Sequence, residues 1–415
     1  MVPEGWKQSE VGDHVDLLSG FPFKSSDYSD DSDDIRLLRG DNIGQGQLRW
    51  RDAKRWDKDQ YEQLAKYHLN LGDFVIAMDR TWVTGGLKVA EVKDHDLPSL
   101  LLQRVSRLRA HPTLDQRLLR FFINGYRFEQ YVKSVQTETA VPHISAKQIK
   151  EFPIPIPPLP EQRKIADILS TWDAAIEKTE ALLATAKAQK RALMQSLLTG
   201  KRRFPEFEGQ PWKEVRLGDV GLVSSAGVDK KTEDNQPEVR LLNFLDVFRR
   251  EFIFDAELNH VVTAPSAKLE QCNVKRGDVF FTPSSETRDE IAIPAVAAED
   301  MEGVCYSYHV VRFRLSEPWD MNFRAYVFQT DDFRRQAYKL GDGSGQRYVI
   351  SQGNFRNMTV RVPSIPEQAQ IGAILKAASG EIGGFEKQLT KLRTEKKALM
   401  QQLLTGKRRV VVTAN

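Results

Sequence analysis

Residues 158–169 read PLPEQRKIADIL, and residues 364–375 read SIPEQAQIGAIL. The two stretches lie 206 positions apart and share Pro160/Pro366, Glu161/Glu367, Gln162/Gln368, Ile165/Ile371, Ile168/Ile374 and Leu169/Leu375. At the same offset, LMQSLLTGKRR (193–203) returns as LMQQLLTGKRR (399–409). In the first copy a proline-rich run, PIPIPPLP at 153–160, excludes helix before the motif. Pro160 and Glu161 then suit a helical first turn. Beyond them a seam steps alternately by four and three. It comprises Ile165, Leu169, Trp172, Ile176, Thr179, Leu183, Ala186, Lys190, Leu193 and Leu197 in the first copy. In the second it comprises Ile371, Leu375, Ala378, Ile382, Phe385, Leu389, Leu392, Lys396, Leu399 and Leu403. This heptad pattern predicts two helices of about 57 Å each, at 1.5 Å per residue. Gly200 and Gly406 supply the stop, and the KRR after each suits the negative end of the helix dipole. Gly380, Gly383 and Gly384 weaken the second helix, and a kink is expected there.

The offset extends further. GWKQSEVGD (5–13) aligns with PWKEVRLGD (211–219), pairing Trp6 with Trp212, and Ile144-Ser145 aligns with Ile350-Ser351. Between these marks the copies diverge. The layout is therefore a variable block, a helical segment, a second variable block and the helical segment again, with expected boundaries 1–155, 156–204, 205–361 and 362–410. Each helix could pack on its own block alone. Pairing the two seams satisfies both at once, with Lys190 and Lys396 at matching positions to set register. If the second helix ends as the first does, its tail docks near Trp6. The helices then run antiparallel about a pseudo-twofold axis, with the blocks at opposite ends of a rod.

Apolar residues make up 40% and charged residues 28% of the 415, the composition of a soluble globular protein of several domains. Cys272 and Cys305 are too few for a disulfide framework. With no signal-like start and no apolar run of spanning length, a cytoplasmic protein is expected. Net charge is +3, distributed as −1 over 1–159, +4 over 160–203, −5 over 204–365 and +5 over 366–409. The basic excess sits in the helical segments, so the blocks bind nothing by bulk charge.

Both blocks read as mixed α/β or α+β. Strand-like runs are FVIAM (74–78), GLKVAEV (86–92), DVFFT (278–282) and YHVVRFRL (308–315). Helix-like runs span 117–134 and 321–339. Each block places Gly-Asp before an apolar strand (LGDFVIAM, RGDVFFTP) and a polar tract after it, at 79–86 and 284–290. A second polar tract precedes each exit, TETAVPHIS at 137–145 and GDGSGQRYVIS at 341–351. GDGSGQR follows a helix-like run rather than a strand and reads as a turn. No phosphate loop, HExxH or CxxC occurs. Glu91-Val92-Lys93 has the ExK form of metal-dependent nucleases but lacks a preceding Pro-Asp. The expectation is a chain without catalytic residues, metal or cofactor.

GWKQSEVGD, GFPFKSSDY (20–28), ISAKQIKEFPIPIPPLPEQRKIADIL (144–169) and LMQSLLTGKRRF (193–204), with VISQGNFRNMTVRVPSIPEQAQIGAIL (349–375) and LMQQLLTGKRR, carry a resemblance across essentially the whole chain. It resembles the specificity subunit of a type I restriction–modification system. In the second half SSAGVDKKT stands where GFPFKSSDY would be. The resemblance implies two target recognition domains of similar fold, joined by two long helices that pair as an antiparallel coiled coil. Each domain would read one half of a bipartite, asymmetric double-stranded DNA site. The helices would set the gap and dock two modification methyltransferase subunits, which restriction/translocase subunits join. Methylation, ATP hydrolysis and cleavage would then belong to partner chains.

Base edges are read by arginine, asparagine, glutamine and hydroxyl side chains. The candidates in the polar tracts are Lys24, Ser25, Arg80, Thr81, Thr139 and His143 in the first block. In the second they are Ser284, Ser285, Arg288, Ser344, Gln346, Arg347 and Tyr348. The competing readings are a coiled-coil adaptor that binds proteins and a nuclease built on Glu91 and Lys93.

Overall fold

The computed structural model describes residues 2–137, 140–344 and 347–412. The chain divides into two compact units, Met1–Thr179 with Gln388–Asn415, and Glu180–Lys387. This division cuts both long helices, Leu159–Leu197 and Ile365–Leu403, near their middles. Each unit thus owns the start of one helix and the end of the other.

The repeated phrases account for that sharing. In the first unit Glu161 is buried at the mouth of its helix. Trp6 Nε1 donates to its Oε2 at 3.0 Å, and Arg409 donates through Nε and Nη2 at 2.7 and 2.9 Å. In the second unit Glu367 accepts from Trp212 at 3.2 Å and from Arg203 at 2.9 and 2.7 Å. The bond to its glutamate raises the pKa of each arginine. The neighbouring glutamine ties the helix mouth to the sheet domain. Gln162 accepts from Asp115 N and donates to Pro157 O, and Gln368 does the same with Asp320 and Pro363. Asp115 and Asp320 in turn cap the next short helix of each unit. The tail of the second helix therefore docks at Trp6, with the Arg409 guanidinium 5.7 Å from its ring centroid.

Within each unit the helical stretches run antiparallel. In the first, Glu161 meets Arg409 and Asp173 meets Lys396. In the second, Arg203 meets Glu367 and Lys187 meets Glu386. Every seam position is buried or half-buried. Ile165, Leu169, Leu399 and Leu403 join the core of the first unit; Leu193, Leu197, Ile371 and Leu375 join that of the second. The helices both pair and pack on their sheet domains. Lys396 links the helices through Asp173, but Lys190 instead pairs with Glu251 of the sheet domain. The second helix is continuous through Gly380, Gly383 and Gly384, where an added Cβ would meet nothing within 4 Å. Gly200 and Gly406 end the helices with φ of +73° and +70°.

The sheet domains share one topology that their sequences do not. In the first unit a four-stranded antiparallel sheet runs in the order Val15–Ser19, Val105–Ala110, Phe74–Ala77, Val89–Glu91. In the second the order is Gly221–Ser224, Val311–Leu315, Val279–Phe281, Pro294–Ala297, with Phe252–Ile253 added at the edge. Both units also pair two strands in parallel outside this sheet, Ile35–Leu38 with Ser99–Leu101 and Glu238–Leu242 with Met301–Tyr306, and the added edge strand Phe252–Ile253 runs parallel to Pro294–Ala297. The Gly-Asp motifs are structural. Gly72 and Gly277 turn the chain at φ of +81° and +85°. Buried Asp73 and Asp278 then hold Arg109 and Arg314 of the neighbouring strand by two hydrogen bonds each.

Three expectations from the sequence are corrected. The helix-like run 117–134 is two helices, Gln116–Ile123 and Tyr126–Val135, broken at Gly125, where a Cβ would lie 2.9 Å from Phe121 O. The run 321–339 likewise breaks into Met321–Val327 and Asp331–Leu340, because the Thr330 side chain caps the second helix. The strand expected at 308–315 begins only at Val311, which leaves Tyr308 and His309 in a turn. Cys272 and Cys305 are free and buried, and burial pushes the Cys305 thiol up to about 11.

Candidate nucleic-acid interface

In the first unit the strand Phe74–Ala77 runs out into Met78 and Asp79, where the two polar tracts meet. Asp79 bridges His143, Arg80 N donates to Pro142 O at 2.7 Å, and Ile144 N donates to Met78 O at 2.9 Å. Buried Ile144 and the cap Ser145 place the second tract, which is what the repeated Ile-Ser does. The Asp79 carboxylate is the hub. His143 Nδ1 lies 2.7 Å from Oδ1, and Arg104 Nη1 donates to both oxygens at 3.1 Å. Arg80 and Arg104 hold left-handed backbone conformations, φ +47° and +65°. Half-buried Lys88 belongs to the same cluster. Burial pushes its ammonium pKa down, nearby Asp41 resists, Arg80 adds to the fall and Asp79 opposes it.

The second unit builds the equivalent place differently. Ser284 and Ser285 pair with Val349 and Tyr348, and Ile350 N donates to Pro283 O at 3.0 Å. Ser284 thus stands where Asp79 does, and Val349 where His143 does. Arg347 Nε and Nη2 both donate to Ser284 Oγ, at 3.3 and 3.0 Å. Arg288 lies over the Tyr348 ring at 4.7 Å and Ser285 donates to Glu290 at 3.0 Å. A cleft of about 550 Å³ opens here, lined in part by Lys230, Phe248, Arg249, Ser284, His309 and Arg347. Burial lowers the His309 pKa, Lys230 and Arg347 lower it further, and Asp229 resists.

The GFPFKSSDY tract and its dissimilar partner SSAGVDKKT perform one task. Phe21 bridges Leu102 in parallel fashion, and Val228 bridges Ser307 likewise. Gly20 and Gly227 precede these bridges, pressed so close to the facing backbone that a Cβ would lie within 2.3 Å of it. Two residues beyond each bridge come Arg104 and His309, which are therefore equivalent positions.

The structure sorts the sequence candidates. Arg80 and His143 come together, as do Ser284, Ser285, Arg347 and Tyr348, with Arg288 stacked on the last. Thr81 is withdrawn from the interface: it is 1% exposed and its hydroxyl donates to Ala77 O at 2.6 Å. Lys24 and Ser25 are exposed on the loop that Phe23 anchors in a separate aromatic core with Trp56. Thr139 and Gln346 lie outside the described residues, as does the side chain of Ser344. Sequence reading missed Asp79, Arg104, Lys230, Arg249 and His309. The signal for Arg104 and His309 was a polar break in an apolar run, LLQRV and CYSYHVV. Glu91 accepts from Arg120 at 2.5 Å and Lys93 faces Glu177 at 3.8 Å. Among the described residues no group of three or more His, Cys, Asp or Glu is placed to hold a metal ion. No helix there is long and apolar enough to cross a membrane.

The family model described as "Type I restriction modification DNA specificity domain" matches the chain twice, at residues 3–187 and 209–392. The chain belongs to this family. The two matches coincide with the two copies of the internal repeat. The chain is 32% identical over 197 residues to the type I restriction enzyme EcoAI specificity subunit of Escherichia coli, covering 47% of this chain and 33% of that one. It is 29% identical over 203 residues to the MjaVIII specificity subunit of Methanocaldococcus jannaschii, covering 49% and 47%. These matches thus span a third and just under half of the two relatives. The crystal structure of the type I restriction–modification system S subunit from M. genitalium shares the fold, with a TM-score of 0.57, 14% identity and 96% of both chains covered.

Proposed function

We propose that the chain is the non-catalytic specificity subunit of a type I restriction–modification complex, each unit reading one half of a bipartite, asymmetric DNA site. The observation that carries this reading is one frame with two chemistries. Equivalent positions hold Asp79, Arg104 and His143 in one unit and Ser284, His309 and Val349 in the other, with Arg347 joined to Ser284. A pair of scaffolds that share a strand order and carry different side chains where their polar loops meet suits two different half-sites. The contact residues are drawn from Lys24, Ser25, Arg80, Thr139 and His143 in the first unit. In the second they are drawn from Ser284, Ser285, Arg288, Ser344, Gln346, Arg347 and Tyr348.

On this reading the recognition domains are 1–155 and 205–361. The helical regions 156–204 and 362–410 set the spacer and dock two modification methyltransferase subunits, to which restriction/translocase subunits add. Adenine methylation, ATP hydrolysis and cleavage belong to those partners in the cytoplasm, and this chain needs no cofactor. The test is a module exchange. Replacing residues 1–152 by the matching block of a relative should change one half of the methylated sequence and leave the other. If both halves change together, the units do not read independently.

A further inference from the structure

We infer that Arg104 reads a guanine in the half-site of the first unit, with Asp79 as the positioning residue. This deepens the DNA-reading function proposed above and rests on it. Arg104 is not in either polar tract; tertiary structure brings it to Asp79 from the turn between the strands Ser99–Leu101 and Val105–Ala110.

The geometry of the contact is the first argument. Only Nη1 of Arg104 is engaged, donating to both carboxylate oxygens at 3.1 Å. Among the described residues Nε and Nη2 have no acceptor, so one side of the planar guanidinium presents two parallel donors. Guanine offers two acceptors, N7 and O6, at matching spacing on its major-groove edge. Adenine places an amino group where O6 would be and would meet a donor with a donor. The side chain is 64% exposed while its anchor Asp79 is 26% exposed, so the free edge projects and the fixed edge is sheltered.

Electrostatics separates base from phosphate. A carboxylate held 3.1 Å from the guanidinium repels a phosphate approaching the same group, whereas a base edge carries no net charge. His143 Nδ1 also bonds that carboxylate, at Oδ1, and helps to hold its orientation. The backbone agrees. Arg104 and Arg80 are two of five non-glycine residues with positive φ among those described, and both flank Asp79. In that conformation the backbone sets the direction in which the side chain leaves the chain, and the bond to Asp79 holds its far end. The second unit cannot use the same device, because His309 occupies the equivalent position and Ser284 Oγ already takes the Nε and Nη2 edge of Arg347.

The experiment selects duplexes from a randomised pool with the full chain in its assembled complex, comparing wild type with Arg104→Ala, Arg104→Lys and Asp79→Asn. Wild type should return a bipartite sequence with a guanine in the half-site assigned to residues 1–152 by module exchange. Arg104→Ala should reduce preference for that guanine by roughly 5- to 150-fold and leave every other position unchanged. Arg104→Lys should lose the same preference while keeping the salt dependence of binding, because charge remains and the paired donors do not. Asp79→Asn should weaken the preference without reducing affinity for random duplex. A uniform loss on all sequences in Arg104→Ala, with a salt slope smaller by about one, would make Arg104 a phosphate contact and overturn the inference. Unchanged preference at every position would overturn it equally. A wild-type complex that selects no bipartite sequence would remove the DNA-reading function itself, and this inference with it.

Discussion

Glu161 and Glu367 occupy the same place in the two units, and each is gripped by a tryptophan and by an arginine from the end of the other long helix. Halfway along the same helix faces the units part company. The first has a charge network in which Arg120 joins Glu91 and Asp173, and Lys396 joins Asp173. The second has Tyr326 donating to Glu251 at 3.0 Å and meeting Ser379 at 3.1 Å, with Lys190 on Glu251. Where the polar loops meet, the chemistry differs completely, Asp79 with Arg104 against Ser284 with Arg347. Similarity therefore declines from the helix mouths to the loop tips. Positions that must hold a partner segment in place keep both partners. Positions that face outward keep only the backbone frame.

The sharpest way to break this comparison is at the shared clamp. Glu367→Ala should cost about 2–3 kcal/mol, the range for a buried acceptor of charged hydrogen bonds. Glu161→Ala should cost less, because Arg409 is 45% exposed against 17% for Arg203 and is more readily resolvated. Denaturation of the full chain measures both. Equal losses would mean that exposure of the arginine does not govern the clamp.

The divergent middle should respond differently to salt. Arg120→Met should cost about 1–2 kcal/mol at low ionic strength and less as salt is added, since it removes one member of a partly exposed network. Tyr326→Phe should cost about 1 kcal/mol at all salt concentrations, the worth of a hydroxyl hydrogen bond. Parallel salt dependence would show that the two networks stabilise by one mechanism after all.

At the loop tips, Arg347→Ala should relax one position of the second half-site by about 1 kcal/mol, the low end for an arginine contact, because Ser284 engages its paired donors. Ser284→Ala frees that edge and should change the preferred base at the same position. The smallest effect is expected in the helices themselves. Gly383→Ala has open space for its Cβ and should raise stability by up to about 1 kcal/mol, without altering either half-site. A loss of stability would mean that this helix face is covered in the folded chain.

The helices were legible because their signals are local. A seam spaced by four and three, a Pro-Glu start and a glycine that accepts positive φ all act within a few residues, so LPEQ at 159–162 and LTG at 198–200 could be read as a start and a stop. The docking of the second tail at Trp6 was also legible, because a repeat that differs at one residue in eleven, Ser196 against Gln402, implies a repeat of environment. The breaks at Gly125 and Thr330 were harder, since an apolar period runs across each and only a backbone approach or a cap interrupts it. The sheet domains were legible only as strands without an order.

By itself, then, the sequence determined the repeat, the two long helices with their ends, and the positions where polar tracts flank an apolar strand. Tertiary structure decided the rest. It set the strand order common to two unlike sequences, made GFPFKSSDY and SSAGVDKKT equivalent, and drew Glu161 to Arg409 across 248 residues. It also decided which polar side chains are available, burying Thr81 against Ala77 O and bringing Arg104 to Asp79 with one edge free. The physical reason is the same in each case. Helical periodicity is written in neighbours along the chain. Strand order and the engagement of a polar group depend on which distant residue supplies the opposing donor or acceptor, and that is settled only when the chain has closed on itself.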